Sequence, residues 1–303
     1  MSDSFFETHG LLGAADGLEE LQIVTRGWPV AIRPDTPPVL KANLLAAVLG
    51  HQLGLKSVDY ARRAYVEPNL PEDEELSPRY QIAYDATDSA KSLVVEAMDR
   101  FLALRNKPDH VGLFASGAAL LRLVMTFRCA VYCIRNGFHF EFSALARLIL
   151  EQVSWVYVIH TLDGDAPLNT QPQACVGKIK GLFPHLGPLY GHLSESGHIA
   201  PKRTRRYIDF TGTGDPDIVL VSDRFAHTDA FDLIALADVY SVLCEWLYAP
   251  RYGRLRYVEL FPSGEKRPAP RRVALQTLRD FQVRIKQITE ETGPGADAPV
   301  KAV

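Results

Sequence analysis

Apolar residues recur at helical spacing in three long consecutive runs near the middle of this chain, and the polar breaks between those runs are short. Ser77-Pro78 opens the first run with an N-cap oxygen and a preset first turn, which predicts a helix to about Arg105. Asp109, after Pro108, is positioned to cap a second helix through Leu120, Leu121, Leu123, Val124, Phe127 and Val131. Asn136-Gly137 should end it, because that pair tolerates the left-handed turn beyond a helix. A third helix is expected from Phe138 to Leu162, closing at Asp163-Gly164-Asp165. Long helices joined by such short turns pack antiparallel.

The flanks read differently. Gly10, Gly13, Gly17, Trp28-Pro29 and Pro34 break any period, so residues 1–36 are expected to be an irregular arm. A short helix is expected from Pro38 to about Leu53, and others near Gln173–Leu182 and Leu186–Ser196. The spacing then changes to that of a β-hairpin at about 206–221, with the glycine-rich Thr211–Pro216 between its arms. Helix resumes from Thr228 to Tyr248, a strand is expected at Arg254–Phe261, and a last helix runs from Pro270 to about Glu290. Residues 291–303 are expected to be a disordered tail. The predicted fold is mainly α: a multi-helix antiparallel bundle over 37–290, with a small hairpin inserted before its penultimate long helix.

Composition excludes intrinsic disorder for most of the length, since 47% of the 303 residues are hydrophobic and 23% charged. The two most apolar stretches, Val111 to Ile134 and Phe142 to Leu162, are interrupted by Arg122, Arg128, Arg147 and Glu151. Charges there are costly at membrane depth, so no membrane insertion is expected. With no secretory signal pattern and four cysteines, too few for a disulfide framework, free thiols in a reducing cytoplasm are expected. Net charge is −3, yet residues 1–100 hold sixteen acids against nine bases while 251–286 hold ten bases against three acids. That asymmetry suits RNA, an acidic partner or simply two different solvated faces.

Candidate chemistry starts with the third long helix, which is apolar around most of its circumference but carries Arg147 and Glu151 one turn apart. Buried charges are rare unless paired. Ser143, Glu151 and Ser154 fall within about 40° of Arg147, making one narrow polar stripe. The arginine fork suits a small anionic ligand; a structural ion pair explains the same residues. Tyr190, Ser194, Glu195 and His198 form a second polar group, with His192 beside them. Arg147, Glu151, Ser154, Tyr190, Ser194, Glu195 and His198 are therefore the expected ligand-binding residues, with Arg147, Glu151 and His198 the catalytic candidates. No metal-ligand spacing and no cofactor motif is present, and broad apolar helix faces favour a homodimer.

The spacing Arg147-x-x-x-Glu151, followed by Trp155 and Tyr157 and then by Tyr190-x-x-x-Ser194-Glu195-x-x-His198, resembles a bacterial all-helical family known as a domain of unknown function. The likeness covers roughly residues 80–250 and implies that these side chains form a shared polar site, without supplying a reaction. Arg135-Asn136-Gly137-Phe138-His139 is similar to the arginine–histidine motif of the higher eukaryote and prokaryote nucleotide-binding (HEPN) ribonucleases, although one residue too short and set across a helix stop. That similarity implies a metal-independent ribonuclease or toxin-type effector in stress or phage defence, with His139 or His198 in acid–base work and an arginine on the phosphate. A protein-interaction scaffold is the third expectation. Lys202–Arg206 is a basic cluster that suits RNA or phosphate, and Gly212-x-Gly214 lacks the lysine of a phosphate-binding loop.

Overall fold

The computed structural model describes residues 22–23, 31–32, 37–69, 78–104, 108–197, 208–210, 216–218 and 224–292. The chain divides into two compact units, 1–77 and 78–303, so the division falls after Ser77 and not at residue 36. The helix expected to open the main bundle belongs to the first unit. There, β1 (Gln22–Ile23) pairs antiparallel with β2 (Ala31–Ile32), a short ladder within the segment expected to be irregular. Helix α1 (Pro38–Gln52) follows, then α2 (Val58–Ala61), capped by Ser57, whose hydroxyl accepts from Tyr60 N at 3.2 Å. Ala42, Leu45, Ala46, Ala61 and Val66 form the small core of this unit.

The second unit contains α3 (Pro78–Ala103), α4 (Val111–Arg135), α5 (His139–Ile159), α6 (Pro172–Ile179) and α7 (Leu186–Gly197). Next come β3 (Ile208–Phe210), β4 (Pro216–Ile218), α8 (Ala226–Leu247), β5 (Val258–Leu260), β6 (Lys266–Pro268) and α9 (Val273–Thr292). The unit is mainly α and bundle-like, as expected. β3 and β4 form the hairpin ahead of the penultimate long helix, with Ile208 opposite Ile218. The strand expected at Arg254–Phe261 finds a partner in β6, Val258 facing Pro268, across a turn in which Gly264 adopts φ +82°.

Helix α8 is buried on nearly every side because its apolar residues cover its whole circumference. It packs on α3, α4, α5 and α9. Phe127 of α4 meets Tyr240 edge-on at 5.3 Å, and the Tyr240 hydroxyl donates to Leu120 O at 3.0 Å. Lys266 donates to Trp246 O at 2.8 Å, placing a cation at the C-terminal end of α8 where the helix dipole favours it. On the far side, α5 contacts α4, α6 and α7, and Trp155 Nε1 donates to Thr170 O at 2.8 Å.

The α4–α5 corner follows the sequence closely. Asn136 ends α4, Gly137 takes φ +70°, and Phe138 N donates to Cys133 O at 2.8 Å. The start of α4 differs: His110, not Asp109, faces the helix, with its Nδ1 3.3 Å from Leu113 N, while Asp109 pairs with Arg251 at 3.1 Å. Ser77, the expected cap of α3, lies outside the described residues. Both α4 and α5 are long and apolar enough to cross a membrane by length and composition, and each packs within this bundle.

Gly112 is where the first turn of α4 presses on the end of α5. Its N–H donates to Leu162 O at 3.2 Å, and an added Cβ would sit 2.1 Å from Ile159 O and 2.3 Å from Leu162 O. Backbone cannot yield cheaply, so Gly112→Ala should cost about 3 kcal/mol of stability. Urea unfolding of the purified variant checks this, and an unchanged midpoint would show that the two helices part freely.

Candidate functional site

Three of the sequence-predicted residues meet. Arg147 Nε donates to Glu151 Oε1 at 2.9 Å, and the Tyr190 hydroxyl donates to the same oxygen at 3.0 Å, bridging α5 to α7. The guanidinium carbon lies 5.5 Å from the Tyr190 ring centroid, and the Glu151 bond raises the Arg147 pKa above its ordinary value. The Arg147 side chain is 24% exposed and that of Glu151 10%. Ser154 is not part of the cluster: its hydroxyl is fully buried and donates to Leu150 O at 2.7 Å within its own helix. Ser194, one turn beyond Tyr190 on α7, has a buried Oγ with no hydrogen-bond partner. Glu195 is exposed on the same helix. His198 and the basic cluster Lys202–Arg206 lie outside the described residues, as does the Gly212-x-Gly214 loop.

A second cluster forms where α4, α5 and α8 meet, around the motif that resembled the ribonuclease pattern. Arg135 is the last residue of α4 and His139 the first of α5. Their side chains have different partners. Arg135 Nε donates to Thr87 Oγ1 at 3.0 Å, its terminal nitrogen pairs with Asp88 at 2.6 Å, and its guanidinium carbon sits 3.9 Å from the Tyr84 ring centroid. The Tyr80 hydroxyl donates to its carbonyl. Arg135 thus anchors the end of α4 to α3.

His139, 3% exposed, points into the bundle. Its Nδ1 lies 2.8 Å from Asp229 Oδ1 and 2.9 Å from Oδ2, so that nitrogen carries the proton and donates it to the carboxylate. The other nitrogen, Nε2, is buried and has no hydrogen-bond partner. Phe225 stacks on the imidazole at 4.3 Å and 25°, and Phe140 meets it edge-on at 5.1 Å. Arg224 is exposed, with its guanidinium carbon 5.8 Å from the Phe225 ring centroid.

Asp229 and Asp232 are the residues sequence reading missed. At about 100° per residue, Phe225, Asp229 and Asp232 share a narrow arc of α8, while Asp238 and Glu245 lie on the opposite face. Those two are neutralised by arginine. Asp238 takes a bidentate pair from Arg272 at 2.7 and 2.7 Å. Glu245 takes Arg100, with Arg256, Tyr257 and Val258 donating backbone N–H at 2.9, 2.7 and 3.1 Å. Asp232, 9% exposed, has no hydrogen-bond or ion-pair partner among the described residues. Burial and then the Asp229 carboxylate push its carboxyl up to about 7. The signal was available, because α8 is an apolar helix with unexplained acids, the same anomaly that drew attention to Arg147 and Glu151.

Among the described residues no group of three or more histidine, cysteine or acidic side chains has the geometry to hold a metal ion. The four cysteines are free, and burial, then Glu141, Cys129 and Asp229, push the Cys133 thiol up to about 12. That value leaves it protonated and without nucleophilic strength at neutral pH. The second cluster holds an oriented imidazole whose other nitrogen has no partner, and Asp232, on the same arc of α8 as Asp229, holds its proton near neutrality. No family model matches the chain, and no curated protein or solved structure is detectably similar to it.

An uncompensated buried carboxyl has a thermodynamic signature. Between pH about 4 and about 7 the folded chain binds the Asp232 proton and the unfolded chain has released it, so raising the pH favours unfolding. Asp232→Asn should match the wild type near pH 4 and become more stable by up to about 4 kcal/mol at pH 8. Urea titrations of both proteins at several pH values check this. An Asp232→Asn protein less stable than wild type at pH 8 would show that the carboxylate has a stabilising partner.

Proposed function

We propose that this protein is a metal-independent acid–base enzyme that cleaves phosphodiester bonds in RNA, with His139 as the proton-transferring group. The observation that carries the reading is a buried imidazole held at Nδ1 by both oxygens of Asp229 while Nε2 has no partner. A buried polar atom left unpaired costs on the order of 1–3 kcal/mol, and such costs persist where function requires the atom. Asp229 acts as a positioning residue that sets tautomer and ring orientation. Phe225 covers one face of the imidazole and holds its plane fixed.

The step is a transesterification. Nε2 takes the proton of a ribose 2′-hydroxyl, the 2′-oxygen bonds to phosphorus, and the bond from phosphorus to the 5′-oxygen breaks. The products are a 2′,3′-cyclic phosphate and a chain with a 5′-hydroxyl, which gains one proton. The 2′-hydroxyl requirement makes DNA inert. His139→Asn keeps an N–H toward Asp229 while removing Nε2. Expected are cleavage of a mixed-sequence RNA oligonucleotide in excess EDTA, no cleavage of the DNA of the same sequence, and a loss of at least about 100-fold in His139→Asn. Cleavage that depends on added metal, or that survives His139→Asn, would sink the reading.

A second reading is supported by the α5–α7 cluster: binding of a small anion by Arg147, with the partnerless Ser194 hydroxyl as an additional donor. Inorganic phosphate should then raise the thermal midpoint of the wild type and not that of Arg147→Gln. Equal shifts in the two proteins would leave Arg147 as a structural tie between the helices.

A further inference from the structure

We infer that the outward face of α4 is a docking surface for a second copy of this chain, with the two α4 helices antiparallel across a two-fold axis at Ala118. Helix α4 is apolar around most of its circumference, yet the bundle takes up one side of it. At about 100° per residue, Ser116, Leu120, Leu123, Phe127, Ala130 and Ile134 share one arc, and all six are buried. Val111, Phe114, Ala118, Leu121 and Met125 share the opposite arc. Val111 is 40% exposed, Phe114 63% and Leu121 41%, and Ala118 is exposed among them. A surface helix ordinarily turns polar residues outward on that side. Here Arg122 is the only charged residue between positions 111 and 125.

Single exposed apolar side chains are common on protein surfaces, but a contiguous stripe of them marks an interface. Successive members of this stripe stand three, four, three and four residues apart, the spacing with which two helices interlock side chains along a seam. Reversed about Ala118, the stripe meets itself: Val111 falls opposite Met125, Phe114 opposite Leu121, and Ala118 opposite Ala118. The smallest of the five residues thus lies on the axis, where two helices come closest. Charge selects the same direction. Asp163 lies at the Val111 end, its Oδ1 accepting from Val111 N at 3.3 Å, and is exposed without an ion-pair partner among the described residues. Arg122, three turns further along α4, is likewise exposed and has no hydrogen-bond or ion-pair partner among the described residues. In the antiparallel pair each Arg122 lies beside Phe114 of the other copy, within one turn of the end where Asp163 sits, and symmetry makes the contact twice. A parallel pair would set acid against acid and arginine against arginine.

The seam spans about 21 Å of helix. One helix pair of that length lies at the small end of stable interfaces, so a dissociation constant on the order of 10 µM is expected. Sedimentation velocity of the full chain between about 1 and 100 µM should show the wild type passing from monomer to dimer. Phe114→Glu should stay monomeric with an unchanged thermal midpoint, since that side chain is outside the core. Arg122→Glu should weaken the dimer by about 10-fold at low salt. Oxidation with copper–phenanthroline reads the register. Ala118→Cys should link to itself above the wild-type background, Val111→Cys should not, and a mixture of Val111→Cys with Met125→Cys should link. A wild type that is monomeric throughout, a dimer indifferent to Phe114→Glu or to Arg122→Glu, or self-linking of Val111→Cys overturns the inference. A monomer that sediments with phosphatidylcholine vesicles, and loses that binding in Phe114→Glu, overturns it in favour of a lipid surface.

Discussion

A helix buried on nearly every side has to dispose of each charge it carries, and α8 carries Asp229, Asp232, Asp238 and Glu245. Removing a carboxylate from water costs several kcal/mol unless a counter-charge and hydrogen bonds replace the lost hydration. Most of the second unit is arranged around that requirement. Glu245 draws in Arg100 from the end of α3 and the backbone leading into β5. Asp238 draws in Arg272, which fixes where α9 begins. The β5–β6 ladder returns Lys266 to the last carbonyls of α8. These contacts make the C-terminal half of α8 a rigid post with its polar groups satisfied.

The N-terminal half is different in kind. One carboxylate is satisfied by a histidine whose second nitrogen is left open, and the next has no counter-charge. A protein selected for stability alone would have placed an arginine or an apolar residue there, as it did for Asp238 and Glu245 further along the helix. That concentration of destabilising features at one end of an otherwise well-neutralised helix is what the proposed function rests on, since stability is commonly traded for chemistry at such places. The same trade explains why the short loop between α4 and α5 matters. Gly137 turns the chain so that His139 enters α5 pointing into the bundle while Arg135 is held back against α3.

The α5–α7 cluster obeys the opposite logic. Arg147 and Glu151 answer one another, and the Tyr190 hydroxyl completes the carboxylate, so the three residues close a seam between helices with little net charge. Its open feature is the Ser194 hydroxyl. A neutral group costs less when unpaired than a charged one, which makes this cluster the weaker pointer to chemistry even though its residues stood out more in the primary structure.

By itself, the amino-acid sequence determined the helical class, the order of the long helices, the stop at Asn136-Gly137 and the hairpin before α8, because each is written in local periodicity and in residues with restricted backbone preferences. It also determined that Arg147 and Glu151 would meet, since i,i+4 neighbours on one helix share a face. Only the tertiary structure decided the partners separated by long stretches of chain. Glu151 with Tyr190, and above all His139 with Asp229 ninety positions later, depend on how α5 and α8 are brought side by side. Helical spacing places Asp229 and Asp232 on one face, and it is silent on which face receives arginines and which receives a histidine. That distinction separates an acid with a counter-charge from one without, and it is set by packing.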